Sequence, residues 1–187
     1  MSAVPKPSFT VAEYLAIENA AEFRSEYYDG EMFAMAGASI PHNLICMNLT
    51  LAVGTQLKGK PCRPIGSDQR VKIQRKGLFT YPDLLIVCGE LQIATDDPMS
   101  ILNPTALVEI LSPTTAGYDR GRKFHSYRLI PSLKEYVLIS QDEPLCESYF
   151  RRDDGTWEYA IFEGLETALE FRSVPVRIPL AELYDGV

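Results

Sequence analysis

Two short apolar runs each carry an acid where a buried strand has little room for one. Leu84-Leu85-Ile86-Val87-Cys88 is apolar chain of strand length, and Asp83 stands at its start after Tyr81-Pro82. Ala106-Leu107-Val108-Glu109-Ile110-Leu111 is a second such run, with Glu109 inside it. Runs of this length without polar alternation predict strands covered on both faces. A carboxylate left unpaired there costs on the order of several kcal/mol, or gives up its charge. Each acid therefore demands a cation, a hydrogen-bond network or a metal. If the two strands are neighbours, both carboxylates aim at one point near the strand ends. Hard oxygen donors of this kind suit Mg²⁺ or Mn²⁺. The competing reading makes Asp83 a turn cap and Glu109 the partner of an arginine, and spacing alone does not choose between them.

The rest of the chain supplies the layers around such strands. Thr10-Val11-Ala12-Glu13 is a capping-box pattern that opens a helix to about Asn19. Asp29-Gly30 between two strand-like stretches predicts a hairpin. Ser39, with Pro41 in the first turn, opens a helix to about Leu57, carrying Leu44, Met47 and Leu51 on one face. Pro64 to Ile73 reads as strand, with Val71 and Ile73 at period two. Asp119 to Ile130 reads as a helix with Phe124, Tyr127 and Ile130 on one side. Glu135–Ser140 reads as a further buried strand, and Cys146–Arg151, Trp157–Phe162 and Phe171–Ile178 as outer strands. This order predicts an α/β (α+β) arrangement, a mixed sheet with helices on its faces and extra C-terminal strands. The 187 residues suit one domain spanning 1–187, with Met1 to Ser8 the one stretch of flexible composition.

Charge and cysteines narrow the function classes. The net charge is -7, which opposes binding of a polyanion. It is unevenly spread: residues 1–134 hold 14 basic and 13 acidic side chains, and residues 135–187 hold 4 and 12. Lys58, Lys60, Arg63, Arg70, Lys72, Arg75 and Lys76 crowd around Asp68 alone. They form either a phosphate-facing patch or, more plainly, a solvated hairpin whose basic edge discourages sheet pairing. Cys46, Cys62, Cys88 and Cys146 show no C-x-x-C pair and no histidine at zinc spacing, so reduced thiols are expected rather than a disulfide or a metal site. No run approaches the roughly 18 apolar residues of a membrane span, and no basic-then-apolar leader opens the chain, so a cytoplasmic protein is expected. G-x-S-x-G, P-loop and glycine-rich dinucleotide motifs are absent.

Several motifs in fixed order carry a family resemblance. Glu26-Tyr27-Tyr28-Asp29-Gly30-Glu31, Met35-Ala36-Gly37-Ala38-Ser39, His42-Asn43, Tyr81-Pro82-Asp83, Val108 to Thr114, Tyr118 to Phe124 and Glu135-Tyr136 together resemble the Uma-two family. These are restriction-endonuclease-like proteins of the PD-(D/E)XK nuclease superfamily, and the likeness runs from about Phe9 to Tyr184. The resemblance implies a restriction-endonuclease-like core and hydrolysis of DNA phosphodiester bonds by a water that Mg²⁺ or Mn²⁺ activates. It implies a homodimer as well. Asp83 and Glu109 match the superfamily's acids, and Glu26 matches an N-terminal acid that often joins them as a third metal ligand. The superfamily lysine normally lies two residues past the second acid, where this chain has Leu111. Lys123, on the following helix, is the match that related sequences imply, and it would orient the attacking water.

The neighbours of these residues have plainer readings beside the functional ones. Lys123 stands four residues from Asp119, the spacing of an ordinary helical ion pair. Glu26 has Arg24 as an available surface partner. Asp68 is either a ligand or a salt-bridge acid. His42 reads as a capping or packed imidazole, with proton transfer or phosphate contact as the lesser reading. His125 reads as surface, and Trp157 and Tyr159 as packing. The alternative for the whole chain is a non-catalytic nucleic-acid-binding or assembly protein on the same fold.

Overall fold

The computed structural model describes residues 8–35 and 37–187. The expectations for Met1–Pro7 and for Ala36 fall outside those residues. Helix α1 (Val11–Ala20) opens on the expected box: the Glu13 amide donates to Thr10 Oγ1 at 3.2 Å, and the Thr10 amide donates to the Glu13 carboxylate at 2.8 Å. Strands β1 (Ser25–Tyr28) and β2 (Glu31–Ala34) form the predicted hairpin. Asp29 and Gly30 both take positive φ (49° and 84°), as the tightest hairpin turn requires. Helix α2 (Ile40–Leu57) starts at Ser39, whose hydroxyl accepts the His42 amide. Strands β3 (Cys62–Gly66), β4 (Arg70–Ile73), β5 (Leu78–Thr80), β6 (Leu84–Cys88), β7 (Ser100–Ile101) and β8 (Ala106–Leu111) follow. A helical stretch then runs from α3 (Ala116–Tyr118) through a wide π turn, Asp119–Lys123, into α4 (Phe124–Tyr127). Strands β9 (Glu135–Ser140), β10 (Leu145–Arg151), β11 (Trp157–Glu163), β12 (Ala168–Glu170) and β13 (Arg177–Pro179) lead to α5 (Leu180–Leu183).

The central sheet has six strands in the order β11-β10-β9-β8-β6-β3. Only β8 and β9 are parallel in it; the other pairs are antiparallel. One face packs on α2 through Ile45, Leu49, Val53 and Leu57 and on the C-terminal residues Leu169 to Leu183. The other face packs on Tyr127, Ile130 and Leu133 and on a second sheet, β2-β1-β5-β4-β7. Helix α1 covers the far side of that sheet, with Tyr14 stacked on Tyr27 and against Phe79. Every residue of β8 is buried, so the prediction of strands covered on both faces holds.

Four expectations are corrected. Helix α2 buries Ile45, Leu49, Ala52 and Val53, while Met47 and Leu51 are exposed. The helix is apolar on more than one side, so periodicity alone cannot select the side the sheet meets. Pro64 to Ile73 is not one strand: β3 pairs with β6 in the central sheet and β4 with β5 in the other. Of the basic residues around Asp68, Arg70 is buried and Lys72 pairs with Asp96, so these two do not belong to a solvated basic face. Phe171–Ile178 is mostly loop, because the buried Glu135 carboxylate accepts the amides of Arg172 and Ser173 and stands in for a partner strand. Finally, Cys62 and Cys88 face each other across the β3–β6 pairing and are joined by a disulfide. Cys46 and Cys146 remain free thiols, and burial pushes that of Cys146 up to about 12.

Candidate active site

The β6–β8 register brings the two anomalous acids together. Leu84 pairs with Val108, so Asp83 and Glu109, one step further along each strand, meet at the same end of the sheet. Asp83 Oδ2 accepts the amide of Ile110 at 2.7 Å, replacing the ladder bond that a continued β6 would have made. Glu109 lies between Leu107 and Leu111 on the face turned toward Tyr127 and Tyr136. Leu111 is spent on the core there, so a cation for Glu109 must arrive from another element.

Lys123 is that cation. Its ammonium lies 2.8 Å from Glu109 Oε1, 3.0 Å from Glu26 Oε1 and 3.6 Å from Asp119 Oδ1. The π turn carries it there: the Phe124 amide reaches back five residues to the Asp119 carbonyl, and Asp119 and Lys123 are both buried. Such an extra helical residue recurs at functional sites. Glu26 also accepts the Tyr81 amide at 3.3 Å, which ties β1 to the Tyr81-Pro82-Asp83 bend. Tyr127 Oη donates to Glu109 Oε1 at 2.8 Å and lies 3.0 Å from the Thr80 hydroxyl. His42, at the start of α2, sets Nε2 3.3 Å from Asp83 Oδ2.

The electrostatics follow from burying three acids, Glu26, Glu109 and Asp119, around one ammonium. Burial pushes the Glu109 carboxyl well above the usual carboxylate range, against the pull of Lys123. Asp119 is raised for the same reason and against the same pull. Burial works to discharge Lys123, but the Glu109 and Glu26 carboxylates outweigh it and hold the ammonium above the usual lysine range. The hydrogen bond to Asp83 raises the His42 imidazole.

Of the four residues singled out in the sequence, Glu26, Glu109 and Lys123 are in direct contact, whereas Asp83, at the neighbouring strand position, is engaged by the Ile110 amide and His42. Glu26, with Arg24 as its plain surface alternative, is buried on Lys123 instead. The Asp119–Lys123 pair exists, but inside the site rather than on a solvated face. Sequence reasoning missed Tyr127 as a site residue, although it stands four residues past Lys123 on the same helical stretch. It also ranked His42 as a cap or packed imidazole, where the structure sets it against Asp83. Asp68 lies apart, exposed in the turn before β4, and His125 is on the surface as expected. Trp157 packs edge-on against Phe124. Oxygen donors of Asp83 and Glu109 suit a hard cation. Among the described residues, however, no three histidine, cysteine or acidic side chains converge as a ready metal site.

The fold is of the α+β class, a mixed sheet flanked by helices, with acids at neighbouring positions of two adjacent strands and a lysine brought to one of them from the following helix. Residues 11–181 match Uma2, described as "Putative restriction endonuclease", and the chain belongs to that family. Two uncharacterized proteins of Synechocystis sp. are 34% and 31% identical to it, over 87% and 98% of this chain and 92% and 95% of theirs. Its fold is similar to the crystal structure of a "putative nuclease belonging to DUF820" from Anabaena variabilis, with TM-score 0.77 and 17% identity over 95% of this chain and 98% of that one.

Proposed function

We propose that the chain is a metal-dependent endonuclease acting on DNA. The observation that carries this reading is the Lys123 ammonium held between Glu26 and Glu109 at the strand end where Asp83 turns in. It supplies from a helix the cation that Leu111 cannot supply from the strand. Asp83 and Glu109 would hold Mg²⁺ or Mn²⁺, with Glu26 as the third acid. Bound there, a divalent ion offers Lewis acidity toward a phosphodiester and lowers the pKa of a nearby water. Lys123 orients the nucleophile and stabilises negative charge that develops on the phosphoryl oxygens. Glu26 and Asp119 hold that ammonium in place, and Tyr127 fixes the Glu109 carboxylate. His42 keeps the Asp83 carboxylate turned toward the Ile110 amide and stands ready to exchange a proton there.

A non-catalytic nucleic-acid-binding role is the second reading. It is favoured by the missing three-donor convergence among the described residues and by the net charge of -7. One experiment separates them. Supercoiled plasmid and single-stranded DNA are incubated with Mg²⁺, with Mn²⁺ or with EDTA, using wild type, Asp83→Asn and Lys123→Met. The nuclease reading expects ion-dependent cleavage that falls at least about a hundredfold in both variants. Equal cutting by wild type and Asp83→Asn, or none by any of them, overturns it. We also propose a homodimer, supported by an exposed apolar stripe on α2.

A further inference from the structure

Tyr81 separates the acid site from a second polar cavity. Its amide faces Glu26, and its ring faces a space of about 210 Å³ lined by Asn19, Arg24, Asp68, Arg70, Tyr81 and Met99. That volume is below the roughly 300–1,000 Å³ of a pocket for a drug-sized ligand and suits a single ring system. Arg70 is 3% exposed, yet only part of its guanidinium is satisfied. Nη2 donates to Asn19 Oδ1 at 2.7 Å, and Nε lies 3.4 Å from Asp97 Oδ2. Nη1 is buried with no hydrogen-bond partner among the described residues. Arg24 stands over the same Tyr81 ring as Arg70, their guanidinium carbons 5.9 and 5.8 Å from its centroid.

The donor and acceptor pattern selects the ligand. Arg24 and Arg70 offer only donors, and the Asp68 carboxylate offers an acceptor. A phosphodiester has acceptor oxygens alone and carries negative charge. Asp68, Asp97 and the buried Glu18, which accepts the Tyr81 hydroxyl at 2.7 Å, all oppose it. A neutral ring with an acceptor edge and a donor edge meets both kinds of group. Guanine has O6 and N7 as acceptors, with N1–H and the N2 amino group as donors.

We infer that this cavity receives an unpaired guanine, with Arg24 on its O6/N7 edge, backed by the positive charge of Arg70, and Asp68 on its N1/N2 edge. The inference rests on the nuclease reading and gives that site a base preference. Tyr81 is two residues from Asp83, at most about 7 Å of chain, so the base belongs to a nucleotide close to the phosphodiester held there. The base must be unpaired, because both of its edges are used.

Fluorescence anisotropy in EDTA tests this without cleavage. The probes are labelled oligothymidylates, plain or with one central dG or dA. Wild type, Arg24→Ala and Asp68→Asn are compared; both variants change residues at the rim, whereas replacing the buried Arg70 risks the fold. The dG strand should bind at least about fivefold tighter than the dA strand, and either variant should bring that ratio close to one. A wild type without dG preference overturns the inference while leaving the nuclease reading intact. So does an Arg24→Ala variant that weakens every strand equally with a shallower salt dependence, the mark of a phosphate contact. Failure to bind any strand overturns the inference, and the plasmid assay with Mg²⁺ or Mn²⁺ then decides the nuclease reading separately.

Discussion

At the residue scale the site depends on one side chain being shared. Lys123 is the ammonium that Glu26, Glu109 and Asp119 hold in common, and all four residues are buried. Removing one member of a buried ionic cluster costs about 3–5 kcal/mol, because the partners are left as uncompensated charge. The acids can take up protons instead, and burial already pushes Glu109 and Asp119 in that direction. Lys123→Met should therefore lose about 3 kcal/mol in urea unfolding without divalent ions. Millimolar Mn²⁺ should return part of that loss to the variant and add less to wild type, since an ion that binds only the folded state stabilises it. A variant as stable as wild type, or one indifferent to Mn²⁺, would show that the acids need no cation. Tyr127 makes a gentler probe of the same cluster. Its hydroxyl serves Glu109, so Tyr127→Phe should cost about 1–3 kcal/mol while leaving the ammonium in place.

At the element scale the disulfide is the contact with most leverage. Cys62 and Cys88 join β3 to β6, the strand that leads out of Asp83, and close a loop across a sequence separation of 26. Loop-closure entropy for that length is worth about 3–4 kcal/mol. The Cys62→Ser/Cys88→Ser double variant should lose that much in chemical unfolding, and dithiothreitol should bring wild type close to the same midpoint. No change on reduction would mean that the two thiols are unlinked in solution. Chain pattern could not foresee this bond, because it depends on β3 pairing with β6, a register set by tertiary contacts. The same limit explains the other misreadings. The Ser39 and Thr10 caps and the Asp29-Gly30 turn were legible because their hydrogen bonds close within three or four residues. Asp83 and Glu109 were legible because an acid in an apolar strand is an anomaly wherever the strand goes. The inward side of α2, the loop pinned by Glu135 and the reach of Lys123 across to Glu26 each needed a partner far away in sequence.

At the scale of the whole molecule, the apolar side of α2 that misled the sequence reading is what remains to be covered. Ile40, Met47 and Leu51 are 77%, 68% and 72% exposed, and half-buried Leu44 lies between them. The spacing of four, three and four residues puts them in one row on a helix about 27 Å long. Ile40 is two residues from His42, so the row begins within a turn of the acid site. A second copy laid on it across a two-fold axis would bury the same residues from both chains and bring two acid sites near each other, one for each DNA strand. A single helix pair lies at the low end of the roughly 1,200–2,000 Å² that a stable interface buries. The proposed dimer should therefore dissociate on dilution. Sedimentation velocity across the micromolar range should show a concentration-dependent rise from monomer to dimer. Met47→Glu with Leu51→Glu should hold the chain monomeric, with an unfolding midpoint within about 0.5 kcal/mol of the wild-type monomer, because neither side chain is in the core. The double variant should still nick plasmid but make fewer double-strand breaks. If it dimerises as wild type does, the two copies meet elsewhere; if wild type stays monomeric at every concentration, two-strand cutting must come from successive encounters.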